Sequence, residues 1–415
     1  MSAIRSLALV PRDGVFCKDG RGWYTTALGR AHGTDWPWPS TVLGALRSAW
    51  GRGLEERQGR RLERGAWPER TREVTLGPSL ALRRPLGAGW APEHRAWPAP
   101  ADALKVRDRE RLLRLQPGPR DPAGPKTLGR DDDPAREALW LAMVDEEGKP
   151  ERMEPWWSEE HFIAWLAGEE VPARAEGRRF SLPRRLQSHV TIRDEQLTAE
   201  DGNLFSHDVL ETLEGPRGRD VPGGREPQEE EGEAGGALAE WAIGVEARLP
   251  DPFLPRLGRL GSDGRLVRIE PLPEPLFAPP PGLLAAFARG SAGLRLVVVT
   301  PASFARGWLP DGLERLQKET EIRGRLPGVE AELVLRAAMV PRPLHVSGWD
   351  MVAGAPKPVS RLVAPGAVYF FERADGGRFG EAEARALWLA AVGSRTEEGY
   401  GRVVPGVWNP NQKRS

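Results

Sequence analysis

The sequence predicts an α+β protein of two domains, and three observations predict it. At 415 residues the chain is longer than one ordinary hydrophobic core fills. Strand-like apolar runs and amphipathic helical stretches are mixed in both halves, without the regular β-α repeats of a doubly wound sheet. The stretch "GPRGRDVPGGREPQEEEGEAGG" has almost no apolar content and carries an acidic block, so 214–236 reads as a flexible segment. The expected domains are therefore 1–213 and 237–415.

Along the chain, Ile4 to Pro11 reads as a strand ending in the turn chemistry of "PRDG". After a polar, Gly-containing loop, "WPSTVLGALRSAWG" predicts a helix with Ser40 or Thr41 as N-cap and Gly51 as its stop. Val42, Leu43, Leu46 and Trp50 form its apolar stripe. Residues 52–132 are rich in Arg and Pro, weakly periodic, and read as an insertion around a few strands. "DDDPAREALWLAMV" predicts a helix with Asp133 at the N-cap and Pro134 at the first position; "SEEHFIAWLAG" predicts another, and "SHVTIRD" a strand. In the second half "ALAEWAIGVEARL", "GRLVRIEPL", "LRLVVVTPA", "EAELVLRAAMV" and "AVYFFE" read as strands, and "PGLLAAFARG" and "GEAEARALWLAAVG" as helices. The last helix is expected to align Ala384, Leu387, Trp388, Ala391 and Val392 on one face.

The 59 basic and 59 acidic residues cancel, so no polyanion partner is advertised by the total, although local basic surfaces remain compatible with it. Arg far outnumbers Lys; that excess fits a GC-rich genome, and it also suits bidentate phosphate contacts. A single cysteine, Cys17, leaves no internal disulfide and no Cys-ligated metal site. No segment has the roughly 18 uninterrupted apolar residues of a membrane span, and the expectation is a soluble, cytoplasmic protein without membrane contact.

Catalytic patterns fail one at a time. GxxxxGK[ST], HExxH and GxSxG do not occur. "EEGYGRVVPG", at 397–406, offers GxG but not GxGxxG, and follows a helix where a dinucleotide fingerprint must follow a strand. Asp131, Asp132 and Asp133 suit a helix N-terminus better than a metal, and His207-Asp208 is a lone dipeptide. No metal and no cofactor are expected. Among the six histidines, His32 alone lies in a loop suited to a general base, while His161 and His345 read as structural.

Phosphate-holding features are better represented. Ser40 and Thr41 open a helix, whose free amides and dipole attract anions, and Arg12, Lys18 and Arg21 make the preceding loop basic. Gly399 and Gly401 permit positive φ, so either their amides form an anion nest with Arg402 or they make a tight turn. Tyr400 offers a face on which a base could stack, and His189 could stack or hydrogen-bond to one.

These stretches resemble a known family. A Gly-rich loop between a terminal helix and strand resembles the signature of the RAMP superfamily of CRISPR-associated proteins. "PRDGVFCKDGRGW", "WPSTVLGALRSAWG", "SHVTIRDEQLTAEDGNLFSHDVL", "LGSDGRLVRIE", "VVVTPASFARGWLP", "SGWDMVAGAPKPVSRLVAPGAVYFFE" and "EEGYGRVVPG" are similar, in order, to the family of the third subunit of the Cmr complex, the type III-B effector. The resemblance implies two ferredoxin-like (RRM-type) domains with long insertions and a β-hairpin thumb, expected at 188–205. It implies a Cas-five-type, non-catalytic RNA-binding subunit for antiviral defence. Such a subunit holds the 5′ tag of the CRISPR RNA, docks on the large Cas-ten-type subunit, meets the backbone subunits, and reaches target RNA only through the guide. Arg47, Arg184, Arg185, Arg193, Lys357 and Arg361 then join the RNA-binding candidates. The alternatives are a metal-independent endoribonuclease with His32 as base, and a protein-only adaptor. Residues 52–175 match nothing in the family.

Overall fold

A computed structural model describes residues 2–20, 29–119, 139–174, 177–193, 195–215, 238–250, 254–315 and 321–410. Strand β1 (Ser2–Pro11) is a central strand, and Leu7, Ala8, Leu9 and Val10 are buried on both of its faces. The short β2 (Gly29–Ala31) precedes helix α1 (Pro39–Gln58). The N-cap of α1 is Trp38, not Ser40 or Thr41, because Pro39 takes the first helical position with its fixed φ. The helix also runs past Gly51, whose missing Cβ admits the Trp67 ring; a Cβ there would lie 2.4 Å from Trp67 Cζ3. It stops at Gly59, whose φ of 62° is the left-handed conformation that closes helices. Val42, Leu43, Leu46, Ala49 and Trp50 bury its apolar stripe against Leu7, Leu9, Ile243, Val245, Val267 and Ile269.

Strands β3 (Thr75–Pro85), β4 (Arg95–Pro98) and β5 (Trp156–Ser158) follow, then α2 (Glu159–Leu166), capped by Ser158, whose hydroxyl accepts from the His161 amide. Next come β6 (Arg179–Phe180), β7 (Arg184–Ile192), β8 (Ala199–Leu210), β9 (Ala239–Pro250), β10 (Leu257–Leu260) and β11 (Arg265–Pro271). The first sheet runs β6-β5-β4-β3-β9-β1-β11-β10, and all its pairings are antiparallel. Strands β9 to β11, expected in the C-terminal domain, thus belong to the first sheet, and the segment expected to divide domains at 214–236 lies between two of its members; the residues 216–237 are outside the described set. The helix expected from Asp133 meets the described residues only at its end, where Leu141–Met143 is a strand.

After α3 (Pro281–Ala288), the second sheet is built on β12 (Gly293–Val298), β13 (Leu333–Met339), β16 (Val368–Arg373) and β17 (Arg402–Trp408), in the order β13-β16-β12-β17. Between β13 and β16, β14 (Leu344–Val346) pairs with β15 (Ser360–Leu362) as a separate hairpin. Helix α4 (Glu381–Leu387) is shorter than expected: Trp388 is already extended, and Ala390–Ala391 pairs with β17. The fold is mixed α+β, mostly strands with few helices among the described residues. None of those helices is long and apolar enough to cross a membrane.

One core joins the two sheets. It runs from Ala8, Val10, Leu80, Leu82, Trp97 and Trp157 of the first through Phe162 and Trp165 of α2 to Leu294, Leu296, Phe370 and Val404 of the second. At its centre Arg295 on β12 donates to Asp102 at 2.8 Å and to the Trp165 carbonyl. The Trp165 indole donates to the other Asp102 oxygen at 3.0 Å. Arg295 is 1% and Asp102 0% exposed, so each charge depends on the other for its partner. Removing the cation with Arg295→Met is expected to cost about 3–5 kcal/mol. Adding Asp102→Asn to it should recover part of that loss, because no unpaired charge is then buried; urea denaturation of the single and double variants measures both.

His161 stands edge-on to Trp157, with ring centroids 4.8 Å apart, and its buried Nε2 has no partner. Burial, with Arg179 and Arg178 nearby, pushes its pKa down to about 4. The fold therefore holds it neutral, and the stabilising contribution present above pH 6.5 is lost as pH falls towards 4. Over that interval wild type should lose on the order of 3 kcal/mol relative to His161→Phe, as read from denaturation midpoints at stepped pH.

Candidate nucleic-acid interface

Two hairpins rise from one loop. In the first, β7 and β8 pair from Arg184↔Leu210 to Ile192↔Ala199, with an irregularity between Val190 and Ile192, and β2 adds in parallel to Phe205–His207. The hairpin is longer than the expected 188–205. Side chains alternate across it. Arg185, Gln187, His189, Phe205, His207 and Val209 share the face that meets the first sheet, where Phe16 stacks on His207 at 4.1 Å and Arg265 donates to Gln187 at 2.9 Å. Leu186, Val190 and Leu204 share the other face and are exposed, Leu204 by 62%; Leu197 at the tip is 81% exposed. The second hairpin is β14–β15, whose tip includes the pair Trp349–Asp350 with Ala355–Pro356. The loop 12–20 connects the roots: Val15 bridges to Leu210, and the Gly20 amide donates to the His345 carbonyl at 3.0 Å.

The cations named from sequence divide into groups. Arg12, Arg193 and Arg361 are exposed and have no ion pair among the described residues. Lys357 is exposed in the second hairpin, whereas the Lys18 side chain is buried, 4.0 Å from Asp19. Arg184 is held by Asp35 at 2.5 Å and by the Thr34 carbonyl. Arg185 is held by Glu211 and by Asp13 at 3.4 Å. Both brace the hairpin root rather than pointing free, although exposed pairs of this kind are worth at most about 1 kcal/mol and yield to a stronger anion. Arg21 lies outside the described residues.

Sequence reasoning missed Arg30 and Asp208. Arg30 pairs with Asp208 at 2.5 Å, and His32 Nδ1 lies 3.3 Å from its other oxygen. Burial raises the Asp208 carboxyl, but Arg30 and His32 outweigh it and hold it below the usual carboxylate range. The partners come from a strand and a loop far apart in sequence, so no local signal marked them.

The Gly-rich loop corrects the phosphate expectation. Gly399 and Gly401 do have positive φ, 92° and 70°. Their amides, however, donate to protein: Gly399 to the Thr396 carbonyl at 3.1 Å, Gly401 to Pro301 at 2.8 Å, and Arg402 to the Thr300 hydroxyl at 2.9 Å. Tyr400 is wholly buried, so it offers no stacking face; burial raises its hydroxyl pKa, and the hydroxyl lies 2.8 Å from Ser40 Oγ. The Arg402 guanidinium donates to the Leu389 and Thr396 carbonyls, and burial lowers its pKa. Arg47, also lowered by burial, donates to the Val74 carbonyl at 3.1 Å, and the Thr41 amide donates to Trp38. The neighbouring groove carries Glu73, Glu246 and Glu397 beside Arg248 and Arg402, which does not suit an RNA backbone. The loop instead ties the sheets together, with the Leu76 amide donating to the Glu397 carbonyl at 2.8 Å.

Fold and surface define a strand-dominated α+β protein whose two sheets share a core and carry two exposed hairpins joined at their roots by the loop 12–20. The chain belongs to the CRISPR-associated protein (Cas_Cmr3) family, which it matches over residues 7–408. No curated protein matches it in sequence. Solved structures similar to it include the cryo-EM structures of the type III-B Cmr-beta bound to cognate target RNA and AMPPnP (state 1) and bound to cognate target RNA. Each shows 10% identity and a TM-score of 0.41, covering 88% of this chain and 86% of the other.

If the glycines serve close approach, the two left-handed positions must respond differently. A Cβ at Gly401 would sit 2.0 Å from the Val392 carbonyl oxygen, whereas nothing lies within 4 Å of one at Gly59. Gly401→Ala should therefore destabilise by about 2–5 kcal/mol and Gly59→Ala by about 1 kcal/mol, as compared by chemical denaturation.

Proposed function

We propose that this chain is the subunit of a type III-B CRISPR (Cmr) complex that holds the 5′ tag of the CRISPR RNA, docks on the large Cas-ten-type subunit beside the backbone subunits, and breaks no bonds itself. The observation that carries the proposal is the pair of hairpins flanking the loop 12–20, with an exposed arginine on each, Arg193, Arg361 and Arg12, that has no ion pair among the described residues. Single-stranded RNA is held in this way, by guanidinium groups on phosphates and projecting side chains that separate bases. Sequence choice is left to guide pairing, so no base-reading pocket is required. In this reading the hairpin β7–β8 is the thumb, and Arg12, Arg193, Lys357 and Arg361 meet phosphates. Family membership supports the assignment to a Cmr complex.

The same reading takes each sheet as ferredoxin-like. In the first, β3-β9-β1-β11 stand in the antiparallel order of that fold, with α1 after the first strand, but a hairpin replaces the second helix. In the second, β13-β16-β12-β17 repeat the order with α4 before the last strand, and Leu313–Arg315 and Ile322–Gly324 take the place of the first helix. Each half keeps the helix the other lacks. The domain division falls after Pro271 on this account.

One contact favours a second reading. His32, half exposed and 3.3 Å from Asp208, is oriented as the base of a metal-independent ribonuclease would be. Both readings meet one experiment. With Arg12, Arg193 and Arg361 all changed to Ala, the assembled complex should bind tag-bearing RNA more weakly, and log K against log salt should flatten by about 0.7 for each phosphate no longer neutralised. Unchanged affinity and slope would remove these residues from the interface. Cleavage of repeat RNA in EDTA that disappears in His32→Ala would replace the proposal with the ribonuclease.

A further inference from the structure

We infer that the root of the first hairpin holds a divalent metal ion of the zinc type between His189, His207 and Asp263. Ligand atoms of the three side chains lie within 4.8 Å of one another. His207 stands diagonal to His189 across β7 and β8, so both imidazoles leave the same face, with ring centroids 4.6 Å apart. Asp263 comes from the turn between β10 and β11. Two strands of one hairpin and a turn distant in sequence thus converge on one point.

Two features distinguish this cluster from a chance grouping. First, His189 Nε2 and His207 Nδ1 are both shielded from solvent and have no hydrogen-bond partner. A buried polar atom without a partner is uncommon, and an ion is one of the few things that accounts for two side by side. The Asp263 oxygen 3.5 Å from His207 Nδ1 is too distant for a good hydrogen bond. Second, the side chains are held in place. Phe16 stacks on His207 at an interplanar angle of 9°, and Phe205 on His189 at 8°. The turn bearing Asp263 is fixed by the Ser262 amide donating to the Phe16 carbonyl at 2.8 Å, and Gly261, at φ 80°, lets the chain approach that carbonyl.

The donor set selects the metal. Two imidazoles and one carboxylate suit borderline ions such as Zn²⁺; Mg²⁺ and Ca²⁺ prefer oxygen. Ligand atoms around tetrahedral zinc, with bonds of about 2.0–2.1 Å, stand about 3.3 Å apart, so modest side-chain rotation closes the site. Arg265 lies 3.5 Å from Asp263, but Asp13 at 3.0 Å is available to hold it, which leaves Asp263 for the ion. Three protein ligands leave a fourth position for water or an anionic oxygen. The lone dipeptide His207-Asp208 contributes only its histidine; Asp208 is on the opposite face with Arg30 and His32. The metal rivets the hairpin to the first sheet, independently of what the hairpin binds.

Full-length protein stripped with chelator and titrated with Zn²⁺ alone in a calorimeter should take up one ion per chain. His207→Gln and Asp263→Asn should weaken uptake by more than the about 10–100-fold that even an outer-sphere change costs; His94→Gln, far from the site, should leave it unchanged. Co²⁺ added to the stripped wild type should give the strong visible bands of a tetrahedral site, a readout that holds even if a variant fails to fold. No Zn²⁺ uptake, equal uptake by the variants, or only the weak spectrum of octahedral Co²⁺ would overturn the assignment.

Discussion

The contact between the Tyr400 hydroxyl and Ser40 lies where the two sheets and the second hairpin meet. Ser40 stands in the first turn of α1, on the first sheet; Tyr400 stands just before the last strand of the second. Around that bond Trp38, Leu344, Val346 and Leu362 form a small core of their own, and three of these four belong to the second hairpin. The glycines on either side let the loop run against Leu76 and Val392, too close for a side chain. A stretch that resembles a phosphate loop in sequence is thus the latch beneath the candidate interface. Its conformation is the one a nest requires, but its donors already have partners.

The stretch 52–175, read from sequence as lacking family motifs, lies within the family match over residues 7–408 and has a comparable structural role. Trp97 stacks on Phe162 at 4.9 Å, Trp157 and Trp165 meet edge-on, and Arg295 reaches between them to Asp102. The abundance of Trp reflects this layer. Aromatic rings fill the space between two sheets that twist away from each other, and the buried ion pair fixes how they sit. Removing either partner would leave the other charge buried and unpaired.

What the sequence could reveal depended on the range of the signal. The apolar runs of β9, β12 and β16 and the Ser158 cap of α2 are local, and they were legible. Gly51 was misread as a helix stop because its role is contact with Trp67, which no local pattern shows. Asp133 and Pro134 look like a helix start whatever follows, yet Leu141–Met143 pairs as a strand with Gln116–Gly118. The acidic segment looks like an interdomain linker but joins two strands of one sheet, since low complexity marks a loop without saying what it connects. In the site, Arg12, Arg193 and Arg361 were legible as cations, whereas the burial of Tyr400, the pairing of Arg184 and the meeting of His189, His207 and Asp263 are tertiary facts.

An exposed hairpin with an apolar outer face has to be held at its base. Two strands alone are marginally stable in water, and Leu186, Val190 and Leu204 gain nothing from burial on that side. The root compensates: the inner face has the Phe16 stack, the Arg265–Gln187 bond and the Arg185 ion pairs, and Arg184 on the other face is held by Asp35. The chain has zero net charge, yet not every arginine is matched among the described residues. Its carboxylates gather at the root, where they orient arginines, and the tip and the facing loop keep Arg193, Arg12 and Arg361 without acidic partners among the described residues. The residues that hold the hairpin's root are distinct from those exposed on its outer face, so the outer face can change without loosening the root.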